Sequence, residues 1–344
     1  MTVIPAGPPF VQIDKSGAGG FAENYLFVAC RLRNSRSEAK RAAVSEVFMA
    51  LYPFGALFVP NGPLCDTKNF LCFMTALTDE AGIKKALERV GYCREFLNIK
   101  FTGLTDSPEP PILSGVWKGR KFSAYLFLAQ DGGVFESQSP SNRKFLIESA
   151  GGPREVTGYR GDGSALGRRA LPTEDARLLV NLALPSQIKK LIDPFAGAGG
   201  IIAAARFIVP RAHVASVDSD LKVAPGLAKC ADSHHAQDAA EFVADGSFDA
   251  VVTELPFDEA ATARAIAGLK NVCGYLNEDG RASVMCSGEQ RESVLGVFCE
   301  TGMRVYADHS INRKGTRVTV VAAAKDARFA DYLAPLNIRL KTFH

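Results

Sequence analysis

The period of the apolar positions changes several times along the chain, and each change marks an element. Tyr25 to Leu32 is a strand-like apolar run. From Ser37 to Leu51 the apolar residues fall at helical spacing, at Ala39, Ala42, Ala43, Val47, Ala50 and Leu51. Ala56 to Val59 and Phe70 to Thr75 read as strands, and Ile83 to Val90 as a second helix. This β-α-β-β-α order, over about 75 residues, predicts a ferredoxin-like α+β sandwich. Val116 to Leu128 adds strands or a hairpin around Gly119. Pro5, Pro8, Pro9 and the Gly17 to Gly20 cluster suit an irregular lead-in, and the Gly-rich, charged stretch Arg154 to Leu171 reads as a linker.

Beyond the linker the pattern alternates between strand and helix, which predicts an α/β fold. Pro172 stands at a helix start with Thr173 and Asp175 close by, and Ala176, Leu179, Val180 and Ala183 share one face of the helix Glu174 to Leu184. Leu191 and Ile192 form a short strand that ends at Asp193-Pro194, and Ile201 to Ile208 is an alanine-rich helix. Val214 to Val217 is a second strand, stopping at Asp218. Leu221 to Cys230 is helical, and a short segment then reaches Gln237-Asp238-Ala239. Asp249 to Thr253 is a buried-type strand, Asp258 to Tyr275 a helix, Arg281 to Cys286 a strand and Glu289 to Cys299 a helix. Met303 to Asp308 and Thr316 to Ala324 close the sheet as an antiparallel pair. The turn His309 to Gly315, with Arg313 and Lys314, either overhangs a substrate or is simply exposed to solvent. The expected division is a module over residues 1–160 and an α/β domain over 161–344.

Composition narrows this picture only a little. With 47% hydrophobic and 22% charged residues, the chain is expected to be packed and globular. A net charge of +3 is too small to argue nucleic-acid binding by itself. The basic cluster Arg31, Arg33, Arg36, Lys40 and Arg41 suits either phosphates or a solvated helix face. Trp117 and Tyr125 among Lys118, Arg120 and Lys121 suit either base stacking or a sheet core. The 8 cysteines include no C-x-x-C pair, so buried, reduced thiols and a cytoplasmic location are expected, with no metal. His234 and His235 are adjacent on an extended segment and point to opposite faces, which disfavours a shared metal. Neither a signal peptide nor a membrane span is expected.

The chemistry concentrates between Lys190 and Asp220. Gly197, Gly199 and Gly200 form a turn without side-chain bulk, and the helix after it presents unpaired N–H groups at its start. An acid ending the second strand, Asp218, can accept hydrogen bonds from two ribose hydroxyls. The glycine spacing is not G-x-G-x-x-G, and Asp193 ahead of the turn would repel a pyrophosphate. It would tolerate an ammonium group.

DPFAGAGG closely resembles motif I of class I S-adenosylmethionine-dependent methyltransferases, in the form seen in the THUMP-domain tRNA guanosine N-methyltransferases. The resemblance implies a Rossmann-like domain with a mostly parallel seven-stranded sheet, a THUMP-like N-terminal module that positions RNA, and S-adenosyl-L-methionine as cofactor. Over ALPTEDARLLVNLA, from Ala170, it implies that Pro172 and Thr173 open a helix lining the cofactor pocket. It further implies cofactor contacts at Asp193, Pro194, Phe195, Ala196, Gly197, Gly199, Asp218 and Ser219, and at Asp238-Ala239, where an acid followed by Ala resembles the adenine-binding motif.

The second chemical stretch is FDAVVTELPFD, Phe248 to Asp258, with Glu254-Leu255-Pro256-Phe257 just past the end of a strand, where parallel sheets bind ligands. An exocyclic amine is a poor nucleophile, and acceptors for its two N–H hydrogens help align it with a methyl donor. The resemblance implies that Glu254 accepts one hydrogen bond and the Leu255 carbonyl the second, that Glu254 takes the proton, and that Pro256 and Phe257 complete the motif with Phe257 stacking on the substrate. The family has Asp or Asn where Glu254 stands, a difference of ~1.5 Å in reach. Three functions follow: methyl transfer to an exocyclic amine of guanosine in tRNA, methyl transfer to a small amine or guanidine that Glu254 grips, and a non-catalytic binding protein on the methyltransferase frame.

Overall fold

The computed structural model describes residues 7–12, 25–33, 37–62, 64–65, 69–76, 79–100, 113–117, 120–127, 143–147, 152, 154–158, 171–313 and 316–341, with backbone alone for residue 37 and for 100–158. The N-terminal part runs β1 (Tyr25–Leu32), α1 (Ser37–Leu51), β2 (Leu57–Phe58), β3 (Phe70–Ala76), α2 (Glu80–Leu87) and β4 (Cys93–Lys100), followed by the hairpin β5 (Leu113–Trp117) and β6 (Arg120–Phe127). These form one antiparallel sheet in the order β2-β3-β1-β4-β6-β5. Strand β4 is not foreseen from the pattern, because Arg94, Glu95 and Asn98 interrupt its apolar positions. The expected linker is in part a strand: β7 (Arg143–Ile147) pairs antiparallel with β8 (Arg154–Gly158), so Arg154 to Gly158 is ladder rather than loop. The rest of that stretch, 159–170, and the Pro/Gly-rich lead-in beyond residues 7–12 lie outside the described residues, as do the side chains of Trp117 and Tyr125.

The second sheet is Rossmann-like. Its elements are α3 (Thr173–Leu182), β9 (Lys190–Asp193), α4 (Gly200–Ile208), β10 (His213–Val217), α5 (Ala224–Cys230), β11 (Ser233–His235), β12 (Phe248–Glu254), α6 (Glu259–Gly274), β13 (Leu276–Ser287), α7 (Arg291–Glu300), β14 (Arg304–Arg313), β15 (Thr316–Ala324) and α8 (Ala327–Lys341). The seven strands lie in the order β11-β10-β9-β12-β13-β15-β14, parallel except where β15 runs antiparallel to both neighbours. Helices cover both faces, so the strands read as unbroken apolar runs. Leu191, Val214, Ala250 and Val252 point into one core with α3, α4 and α8. Ile192, Ala215 and Val251 point into the other, with α6 and α7.

The first of these cores does not stop at the second sheet. Val28, Cys30, Ala43, Val47 and Phe48 of the N-terminal sheet and α1 belong to the same buried cluster as Leu179, Ile202 and Leu333. Helix α1 is held on one side by its own sheet and on the other by α3 and β14. Helix α8, also unforeseen, seals this side with Phe329, Leu333, Leu336 and Leu340.

The candidate phosphate cluster of the N-terminal sheet is partly used internally. Arg31 pairs with Glu95 at 2.8 Å, and Arg33 Nε donates to the Gly91 carbonyl. Of the cysteines, Cys30, Cys72, Cys93, Cys273 and Cys286 are buried, and burial pushes the Cys273 thiol up to about 12; Cys230 and Cys299 are exposed, contrary to expectation.

Candidate active site

Register brings the predicted acids to one edge. Asp193 lies opposite Ser216 and Ile192 opposite Val251, so β9, β10 and β12 end side by side, with Asp218 and Glu254 at or just beyond their carboxyl ends. The chain leaves β9 through a turn in which Gly197 has φ +50° and Gly199 φ +77°, the left-handed region that favours glycine. A Cβ on Gly197 would find no atom nearer than the Phe195 carbonyl oxygen at 4.0 Å, so the turn is open there. On Gly199 it would touch Leu227 at 3.4 Å.

Asp193 is only 1% exposed. Its Oδ1 accepts the Thr253 hydroxyl at 2.7 Å and the Phe195 N–H at 3.2 Å, whereas Oδ2 has no partner among the described residues. Burial pushes its carboxyl up to about 7, against the pull of those two hydrogen bonds. Asp218 holds the glycine turn itself: Oδ2 accepts the Gly197 N–H at 2.7 Å and Oδ1 that of Asp220 at 2.8 Å. Each oxygen keeps acceptor capacity beyond one bond. Pro194 and Ala196 are buried, Phe195 is half-buried and Ser219 exposed. Pro172 caps α3, with Thr173 its first residue.

Asp238 and Ala239 lie beyond the end of β11. The Asp238 carboxylate accepts the Ala240 N–H and pairs with Arg264, and the Ala239 side chain is buried. Helix α6 comes so close that a Cβ on Gly268 would lie 2.9 Å from Ala239 Cβ and 3.0 Å from the Phe195 ring. His234 Nδ1 bonds Ser216 Oγ at 3.0 Å while the His235 ring meets Phe242 edge-on, so the two do diverge. Among the described residues no group of three His, Cys, Asp or Glu is placed to hold a metal.

Beside Asp193 stands the second stretch. Thr253 bonds Asp193, Glu254 ends β12, and the chain then turns. Leu255 is buried with its N–H on the Met285 carbonyl at 2.8 Å. The buried Gln290 amide donates to the Pro256 carbonyl at 2.8 Å, and Phe257 is half-buried against the core. Glu254 is not alone: Arg313 Nη1 donates to its Oε1 at 2.7 Å, and Arg313 Nε lies 2.9 Å from Asp175 Oδ2. Strand β14 therefore continues through Arg313, which is 7% exposed and does not belong to an overhanging turn. Lys314 lies outside the described residues.

Sequence reasoning missed Thr253 and Gln290, and placed Arg313 in a turn rather than buried at the end of a strand. A signal for the last existed: His309, Ile311 and Arg313 fall at i, i+2 and i+4, which on a strand share one face, and all three are buried.

No known family pattern matches this sequence, and no curated protein matches it. Solved structures do. The T. thermophilus 16S rRNA N2-G methyltransferase RsmC, solved with AdoMet and guanosine, is 16% identical with a TM-score of 0.34, over 54% of this chain and 46% of its own. The chain thus spans under half the length of RsmC. The N-methyltransferase NodS from Bradyrhizobium japonicum, with S-adenosyl-l-homocysteine, gives 15% and 0.38, over 48% of this chain and 90% of its own. Magnesium protoporphyrin IX methyltransferase ChlM from Synechocystis, with SAM, gives 12% and 0.33, over 48% and 86%. All three are methyltransferases, RsmC named for a guanosine of 16S rRNA and ChlM for magnesium protoporphyrin IX. The strand order, rather than these distant likenesses, carries the fold.

Proposed function

We propose that the chain is an S-adenosylmethionine-dependent N-methyltransferase, and that its acceptor is an exocyclic amino group of guanosine in tRNA. The observation that carries this reading is the Thr253–Asp193 bond. It joins the acidic glycine turn to the acid-Leu-Pro-Phe loop, so that a donor site and an amine site share one sheet edge. The residues fit the cofactor. A buried carboxylate with an unpartnered oxygen suits the ammonium of a methionine moiety, the open backbone at Gly197 admits it, and Asp218 can add ribose hydroxyls to its present partners. Asp238-Ala239 would flank the adenine, and Pro172-Thr173 the pocket wall.

When bound, the cofactor supplies an electrophilic methyl group. The protein's part is to hold the amine: Glu254 and the Leu255 carbonyl accept its two N–H hydrogens, and Phe257 stacks on its plane. With Glu254 already bonded to Arg313, its role is that of a fixed acceptor, and the departing proton goes to water. The N-terminal strand order β2-β3-β1-β4, from a β-α-β-β-α-β succession, is the order of a ferredoxin-like sandwich. We read residues 1–160 as a THUMP-like module that positions RNA for the 161–344 domain.

One observation favours a second reading. Asp175 and Glu254 share a single buried guanidinium, and Asp193 feels the charges of Asp218 and Glu254 nearby, an acidic surrounding that suits a small cationic amine or guanidine as acceptor. Labelled methyl incorporation into bulk tRNA and into an amine pool separates the two. We expect label in tRNA, and loss of it by roughly a hundredfold or more in a Glu254→Ala, Phe257→Ala double variant. Full activity of that variant overturns the assigned roles, and label in amines alone selects the second reading.

A further inference from the structure

Glu254 stands where the resembled motif has the shorter Asp or Asn, and its longer side chain has one more rotatable bond to fix before it can meet an amine in one orientation. We propose that Arg313 is the positioning residue that fixes it, and that Tyr92 of the N-terminal sheet, acting through Asp175, fixes Arg313. The N-terminal sheet then completes the acceptor site rather than only delivering substrate to it. This rests on Glu254 being the acceptor-binding acid.

Four residues far apart in the sequence form the chain of contacts. The Tyr92 hydroxyl, just before β4, donates to Asp175 Oδ1 at 2.6 Å. Asp175, in the first turn of α3, places Oδ2 2.9 Å from Arg313 Nε. Arg313, at the end of β14, donates through Nη1 to Glu254 Oε1 at 2.7 Å. A guanidinium is planar, so an ion pair on its Nε edge and a hydrogen bond from Nη1 together limit where the carboxylate can sit. Tyr92, Asp175 and Arg313 are 8%, 3% and 7% exposed, where such pairs are little screened by solvent.

Local structure is built around this approach. Gly91 packs on the start of α3 so closely that a Cβ there would lie 2.3 Å from the Glu174 carbonyl oxygen. Glu46 of α1 accepts the Gly91 and Tyr92 N–H groups at 2.6 and 2.9 Å, fixing the segment that carries the hydroxyl. Arg313 Nε and Nη2 are buried without a hydrogen bond among the described residues, so the hold of Asp175 on the guanidinium is an ion pair and the directed bond is the one from Nη1 to Glu254.

The test uses the full chain and two variants. Tyr92→Phe removes one hydroxyl, and Arg313→Lys keeps the charge but not the planar fork. Without any ligand, hydrogen exchange over residues 255–258 should quicken several-fold in both variants, while β9, β10 and β13 exchange as in the parent. The affinity for S-adenosylhomocysteine, measured by calorimetry, should stay within about twofold, since the cofactor groups are elsewhere. On whichever pool the parent labels, kcat should fall roughly tenfold in Arg313→Lys and less in Tyr92→Phe, with the double variant no worse than Arg313→Lys alone. Unchanged exchange at 255–258, additive kcat losses, or a parallel loss of cofactor affinity each overturns the proposal. A parent that labels neither pool overturns the functional reading instead, and the exchange result still decides the positioning.

Discussion

Asp193 shows how one residue can serve two tasks that conflict. On the proposed reading it lies within the sheet edge to meet a ligand's ammonium, yet burial there favours its neutral form, and its carboxyl is pushed up to about 7. The sign of the consequence is fixed. An unfolded Asp ionises near its ordinary value of 3.8, whereas the folded residue keeps its proton to about 7. As pH rises between those values, the folded state holds the extra proton and loses stability. Asn does not titrate, so the stability of Asp193→Asn relative to the parent should rise between pH 5 and 7.5, by on the order of 1–2 kcal/mol. Denaturant unfolding of the ligand-free proteins at both pH values measures it, and parallel pH profiles would contradict the account. Asp218 carries a lesson of the same scale: the acid expected to meet ribose also ties down the Gly197 N–H, a bond that no spacing of residues announces.

Single elements owe their placement to close approaches. Helix α6 reaches the Asp238-Ala239 loop only because residue 268 has no Cβ, and an added methyl would press on Ala239 and on the Phe195 ring together. Gly268→Ala is therefore expected to cost roughly 1–3 kcal/mol in stability and to weaken S-adenosylhomocysteine binding several-fold. Both are read by thermal shift with and without that ligand, and an unchanged shift would contradict the packing role.

Elements whose apolar period is clean were legible in the sequence: β1, α1, β10 and α4 fall within a residue of expectation. Strand β4 was hidden by charged residues that its partners satisfy, as Glu95 does with Arg31. The end of β14 was hidden because Asn312 and Arg313 suggest a turn, whereas burial of Arg313 depends on two carboxylates from distant parts of the chain. The glycine turn and the acid-Leu-Pro-Phe loop were legible because their chemistry is local. Their partners Gln290 and Arg313 were not, since each is defined only by the fold.

Across the whole molecule, the two sheets share one interior. Besides the continuous apolar cluster, Asn181 donates to Glu46 at 2.9 Å and Ser45 Oγ meets His309 Nε2 at 2.8 Å. Burial pushes Glu46 up to about 7 and His309 down to about 4, so both pairs are well shielded from water. Each sheet also buries a cluster of its own on its far face, but the shared cluster ties the two together, so calorimetric unfolding should show one cooperative transition. Two resolved transitions would contradict the shared interior. Among the described residues no helix is long and apolar enough to cross a membrane.

The central claim is that the turn starting at Asp193 holds the amino-acid end of a sulfonium nucleoside whose ribose meets Asp218. Calorimetric titration of S-adenosylhomocysteine into the purified protein tests it most directly. The account predicts saturable one-to-one binding, abolished in Asp193→Ala and retained in Glu254→Ala. The absence of binding heat in the parent across temperatures, or undiminished binding in Asp193→Ala, would contradict it.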